Sequence, residues 1–275
     1  MTTPTSLEDL ARRALEGDRE ALDGLAHVLQ GDIYGLALRM LWNREDAEDA
    51  TQEILVRIVT RLSQFGFRSS LKTWAYRVAV NYILDAKKSA MERLNLGFER
   101  FADDLDRGLQ PSSVDDLVDS MLIDEVKVGC SMAMLQCLDR PHRAAYVLGE
   151  IMELSGPEAA EVLEISPALF RKRLQLAREA VVTFMRSHCG LVSDDAPCRC
   201  HRRVSSTAAS SADTQPLQFA RRATSFQQAR ALVRKVDEAR WALEVHRTSE
   251  PRTSAVDFAQ RLLDAFDPPQ PPSKL

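Results

Sequence analysis

Three groups of side chains in this 275-residue sequence have types and spacings that could do chemistry. In the first, Phe65, Phe67, Trp74, Tyr76 and Tyr82 are interleaved with Arg68, Lys72, Arg77, Lys87 and Lys88. Aromatic rings give unstacked bases a surface and cations hold a phosphate backbone, which is the chemistry of single-strand capture. Trp74, Arg77 and Asn81 stand at i, i+3, i+7, so one helix face would offer a ring, a cation and an amide for a base edge. Tyr82 falls on the apolar stripe and reads as core, whereas the loop of Phe65, Phe67, Arg68, Ser69 and Ser70 reads as functional. In the second group, Arg171, Lys172, Arg173, Gln175 and Arg178 lie in a stretch with no acidic side chain between 166 and 178. Arginine and glutamine on such a helix can reach base edges in a major groove, while the other cations hold phosphates.

The third group is His188, Cys189, Cys198, Cys200 and His201. Cys189, Cys198, Cys200 and a histidine such as His201 could supply four tetrahedral ligands to zinc, although a C-x-C pair is not the usual knuckle spacing. Arg199, Arg202 and Arg203 would lower the thiol pKa values, suiting metal binding or redox sensing. A structural turn with unmodified thiols is the third reading. Cys130 and Cys137, at i, i+7 on an apolar stripe, read as core.

The elements that must carry these groups are helical. From Asp46, a candidate cap, Ala47, Ala50, Ile54, Ile58 and Leu62 recur every three or four residues. A second helix is predicted over about 70–88, with weaker ones at about 6–16, 19–30 and 32–42. Residues 95–113 lose periodicity and read as a linker. Helices follow at about 114–138 and 141–153. A short helix at about 157–163, a turn through Ser166 and Pro167, and a longer helix at about 167–187 form a helix-turn-helix pattern. Phe170, Leu174, Ala177 and Val181 should pack on Ala160 and Leu163. Residues 204–216 read as a Ser/Thr/Ala linker, followed by helices at about 224–246 and 254–266 and a proline-rich tail.

Composition is that of a globular chain, 45% hydrophobic and 28% charged, with too few aromatics and glycines for a β-rich fold or a Gly-rich nucleotide cradle. No run approaches the ~20 apolar residues of a membrane span, no signal peptide opens the chain, and an odd cysteine count points to a reducing cytoplasm. The net charge of −4 hides a pattern. Residues 1–56 balance to −7, 57–93 to +6, 99–125 to −7 and 166–203 to +5. Two basic blocks separated by acidic segments look like two local phosphate footprints, not a general nucleic-acid coat.

The stretch Asp46-Ala-Glu-Asp-Ala-Thr-Gln-Glu, then Phe65-x-Phe-Arg-Ser-Ser-Leu-Lys-Thr-Trp74-Ala-Tyr-Arg-Val-Ala-Val-Asn81, resembles region 2 of bacterial extracytoplasmic-function sigma factors. Leu138-x-x-x-x-Arg143, Leu154-Ser-x-x-Glu158-Ala-Ala-Glu-Val-Leu163-Glu-Ile-Ser166 and Arg171-x-Arg173-Leu-x-x-Ala177-Arg178 resemble their region 4. The resemblance implies an all-α fold of two small helical domains plus a helical C-terminal extension. Region 2 would span 7–94, an acidic linker 95–120, region 4 121–187, the Cys/His cluster 188–203 and the extension 204–275. It implies a non-enzymatic transcription initiation factor that binds core RNA polymerase, opens the promoter −10 element and reads the −35 element, with an anti-sigma protein as a further partner. Carried over, core docking falls on Asp49, Gln52, Glu53 and Arg57. The −10 pocket falls on Phe65–Ser70, with Trp74, Arg77 and Asn81. The −35 contacts fall on Arg171, Lys172, Arg173, Gln175 and Arg178. Leu169 and Leu176 depart from the family, which often has Thr or Ser and a basic residue there. Zinc is the one cofactor that the residues suggest. The competing classes are a stand-alone helix-turn-helix regulator, which would not need the 46–88 block, and a metal- or redox-sensing interaction protein.

Overall fold

A computed structural model describes residues 6–86, 90–107 and 120–203. The helices and linkers expected beyond 203, and the linker residues 108–119, lie outside that range. Among the described residues the structure is helical, apart from one isolated bridge between Cys189 and Cys198. The helices are α1 (Leu7–Leu15), α2 (Arg19–Leu41), α3 (Arg44–Thr60), α4 (Leu71–Asp85), α5 (Ala90–Arg93), α6 (Phe98–Arg107), α7 (Ser120–Cys137), α8 (Arg140–Tyr146), α9 (Gly156–Val162) and α10 (Pro167–His188).

Side-chain caps set most of the starts. Ser6, Asp18, Ser70, Asp139 and Ser166 each accept a backbone N–H from the first turn of their helix. Ser155 and Glu158 form a reciprocal capping box at α9. The cap of α3 is Asn43, whose Oδ1 accepts the Asp46 N–H at 2.9 Å, and not Asp46 itself. The two helices expected at 19–30 and 32–42 are one. Leu25, Leu29, Ile33, Leu36 and Met40 continue a single buried stripe across Gly31, and one exposed glycine weakens a helix without breaking it.

Helices α1–α4 form one bundle, and α8–α10 pack as the helix-turn-helix unit. Phe170, Ala177 and Val181 are buried as expected, with Ala160 and Leu163 among their buried neighbours. Between α8 and α9 the chain makes a wide π turn, Val147–Ile151. Gly149 sits in it because a Cβ there would stand 3.0–3.1 Å from Leu174 and Phe170 of α10. The segment read as a featureless linker contains α6: Phe98, Phe101, Ala102 and Leu105 form a helical stripe that packs on α7 and α10.

One hydrophobic core runs through both units. A buried ion network joins them. Arg143, 3% exposed, donates to the carbonyls of Leu135, Leu138 and Met40 and pairs with Glu92. Arg140 also pairs with Glu92 and donates to the carbonyls of Ile83, Leu84 and Ala86 at the end of α4.

Candidate nucleic-acid interface

The Phe65–Ser70 loop is built on a left-handed turn, with Gly66 at φ 61° and Phe67 at φ 54°. For a non-glycine residue that conformation costs roughly 1–2 kcal/mol. The turn holds Phe67 partly out in solvent, 38% exposed, with the Arg12 guanidinium 5.0 Å over its ring. Phe65 and Trp74 lie behind it in the core, their ring centres 5.6 Å apart, and Phe65 is 4.6 Å from Phe67. Of the three rings assigned to base stacking, only Phe67 is therefore at the surface. Arg68 is exposed and Ser69 half-buried. The Ser70 hydroxyl is occupied in capping α4, accepting the Thr73 N–H at 3.0 Å. The Glu8 carboxylate accepts the Leu71 N–H at 2.9 Å, so α1 also helps to start this helix.

Farther along α4, the assigned strand-facing side chains meet protein. Arg77 pairs with Glu161 of α9 at 2.5 Å and donates to its carbonyl at 3.2 Å. The Asn81 amide donates to Glu164 at 3.0 Å. The turn of the helix-turn-helix thus sits on the face expected to hold the −10 strand.

On α3, Asp49 is exposed, and Gln52, Glu53 and Arg57 are half-buried along one side. Glu53 and Arg57 pair at 2.9 Å, and the Arg57 guanidinium stands 4.6 Å over the Tyr82 ring. On α10, Arg171 and Lys172 are exposed in the first turns, and Arg173 is half-buried near Asp139. Gln175 donates to Glu179 at 2.9 Å. Arg178 stays exposed, at 49% of its side chain, while pairing with Glu150, whose side chain is 1% exposed and needs a counter-charge there. Leu169 and Leu176 are exposed beside Arg171 and Lys172. Among the described residues, the exposed cations on this face outside any ion pair are Arg171 and Lys172, with Arg178 exposed but paired to Glu150.

The cysteines also differ from expectation. Burial pushes the thiols of Cys189, Cys198 and Cys200 up, Cys198 to about 11, and outweighs the neighbouring arginines that were expected to favour thiolates. Cys130 packs against the main core as expected, and against a second, smaller cluster as well. It lines a cavity with the three tail cysteines, its own thiol pushed up to about 12 by burial. Cys137 packs against the main core.

The Arg140–Arg143–Glu92 network was missed in the sequence. Arg143, set directly before the apolar run Ala144–Leu148, was its one visible sign.

A Sigma-70 region 2 family model matches residues 25–93. The chain is 30% identical over 182 residues to the ECF RNA polymerase sigma factor SigW of Bacillus subtilis, covering 62% of this chain and 91% of that protein. It is 29% identical over 186 residues to the RNA polymerase sigma-H factor of Pseudomonas aeruginosa, covering 66% of this chain and 94% of that protein. A solved structure of CnrH in complex with the cytosolic domain of CnrY is similar at a TM-score of 0.46 and 22% identity, over 64% of this chain and 94% of that one. On the 30% identity that spans 91% of SigW, together with the Sigma-70 region 2 match, the chain belongs to the ECF RNA polymerase sigma factor family.

Proposed function

We propose that this chain is a transcription initiation factor that joins bacterial core RNA polymerase, directs it to particular promoters and performs no bond chemistry of its own. The observation that carries this reading is the Sigma-70 region 2 match over 25–93 in the same chain as a capped, basic helix-turn-helix. A stand-alone regulator would need only the second part. We assign core docking to the α3 side bearing Asp49, Gln52, Glu53 and Arg57, −10 recognition to Phe67, Arg68, Arg77 and Asn81, and −35 recognition to Arg171 and Lys172.

The contact between α4 and α9 then has a mechanical meaning. Promoter elements at −10 and −35 lie about 25 base pairs apart, roughly 85 Å along straight duplex. Two readers bonded at 2.5–3.0 Å through Arg77–Glu161 and Asn81–Glu164 cannot occupy both elements together. The described arrangement is the DNA-free form, and loading onto polymerase separates α9 from α4. An anti-sigma protein would find the two units already docked.

Run-off transcription with bacterial core polymerase on a promoter library tests this. Specific transcripts that depend on the added chain are expected. No transcript, together with no co-elution with core, would overturn the assignment.

A further inference from the structure

Four of the chain's five cysteines come together although one is about 60 residues from the rest. Cys130, from the middle of α7, and Cys189, Cys198 and Cys200, after α10, line one cavity of about 40 Å³. A cavity holds one water-sized body in about 10–15 Å³, so the space suffices for a single ion. Cys200 also packs with Ile123, Val126 and Leu191 in a small hydrophobic cluster of its own, with Cys130 and Cys189 against it.

The backbone around these thiols is organised. The Val192 and Ser193 N–H groups both donate to the Cys189 carbonyl at 3.0 Å. The Gly190 N–H donates to the Cys198 carbonyl at 3.0 Å, closing the 189–198 bridge. Gly190 is required, because a Cβ there would run into the Cys198 carbonyl and the Arg199 guanidinium. Arg199 ties the loop from inside by donating to the carbonyls of Asp194, Ala196 and Cys198. Cations stand nearby: Lys127 beside Cys200, and Arg199, Arg202 and Arg203 beside Cys198. They would offset the charge of four thiolates around a divalent ion.

We propose that Cys130, Cys189, Cys198 and Cys200 form a tetrathiolate site for a thiophilic divalent cation of the zinc class, fastening the segment after α10 to α7. Four sulfurs from two separate segments suit a closed tetrahedral site. His201 is not part of the cavity wall; His188 is, with its ring 4.8 Å from that of Phe184, and Cys130 is the fourth sulfur where His201 was expected as a ligand. Among the described residues no three side chains already stand as a formed metal site. The ion itself draws the sulfurs together, each by a rotamer step that leaves the backbone in place.

The full chain, reduced and stripped with a chelator, is titrated with Co²⁺ and then Zn²⁺. About one equivalent of Co²⁺ is expected, with the ligand-field and sulfur charge-transfer absorption of a tetrahedral thiolate site, lost on adding Zn²⁺. Cys130→Ser and, as a second variant, Cys200→Ser should each weaken binding at least about tenfold with helical circular dichroism retained. His201→Ala and Cys137→Ser should bind like the parent. Less than a tenth of an equivalent would overturn the proposal, as would air oxidation to disulfides with no metal uptake. A Cys130→Ser chain that binds like the parent, or a His201→Ala chain that does not bind, would also overturn it. None of these readouts passes through polymerase or promoter.

Discussion

Arg143 and Arg178 show how much the role of a single side chain depends on what surrounds it. Both are arginines in motif positions, yet each meets a carboxylate inside the protein. Removing Arg143 would take one of two counter-charges from the buried Glu92 and leave the Leu135, Leu138 and Met40 carbonyls without its guanidinium, and losing one partner of a buried pair costs about 3–5 kcal/mol. Arg143→Ala is expected to lower the unfolding free energy measured in urea by that much, while Glu92→Gln should cost less. For DNA, Arg171→Ala should weaken −35 binding by about 1–3 kcal/mol, as for a lost base contact. Arg178→Ala should instead destabilise the chain and leave the promoter's sequence preference nearly intact. Fluorescence anisotropy on matched and mutated −35 duplexes, paired with urea melts, separates the two. If Arg178→Ala relaxed specificity without loss of stability, its side chain would have to leave Glu150 when DNA binds.

At the scale of helices, the contact between α4 and α9 is held by partly exposed pairs, each worth about 0.2–1 kcal/mol. The combined change Glu161→Gln and Glu164→Gln is expected to shift the closed arrangement toward an open one several-fold. Small-angle scattering of the isolated chain should report a larger radius of gyration, and unchanged scattering would place the hold elsewhere. Much at this level was legible in the sequence. The helix-turn-helix could be read because its cap, its turn and its apolar stripe through Phe170, Ala177 and Val181 are local. The merging of two helices into α2 was also local, but Gly31 was overweighted against the stripe that crosses it. The stripe of α6 was hidden by its acidic residues and flanking glycines. What could not be read was long-range: Arg77 meeting Glu161, Trp74 backing onto Phe65, and Cys130 meeting Cys198. Each depends on which elements become neighbours, and side-chain periodicity does not encode that. The assigned −10 residues were thus recognisable by type, while their present occupation by α9 was not.

At the scale of the whole molecule, the two basic blocks found along the sequence belong to units that now face each other. Their acidic partners Glu161 and Glu164 come from the helix-turn-helix unit itself. A chain carrying donor and acceptor dyes near Asp23 and Glu179 should report a short separation alone. In a complex with core polymerase on promoter DNA it should report one several tens of ångströms longer, as the roughly 85 Å between elements requires. A separation that stays short in a transcribing complex would mean that the promoter is read without parting the two units. Core binding itself should weaken on charge reversal at Asp49 and Glu53, with circular dichroism unchanged, measured by pull-down.

Arg203 reaches from the last described turn to the Asp104 and Leu105 carbonyls, at 2.9 and 2.8 Å, and so finishes helix α6 from outside. The ten residues of α6 span about 15 Å coiled and roughly 33–36 Å drawn out. The difference of roughly 20 Å equals about six base pairs of duplex. Arg203 holds the C-terminal turn of a helix that lies between the two units in the sequence. Arg203→Ala, by freeing the end of α6, is expected to widen the range of promoter spacer lengths that support run-off transcription.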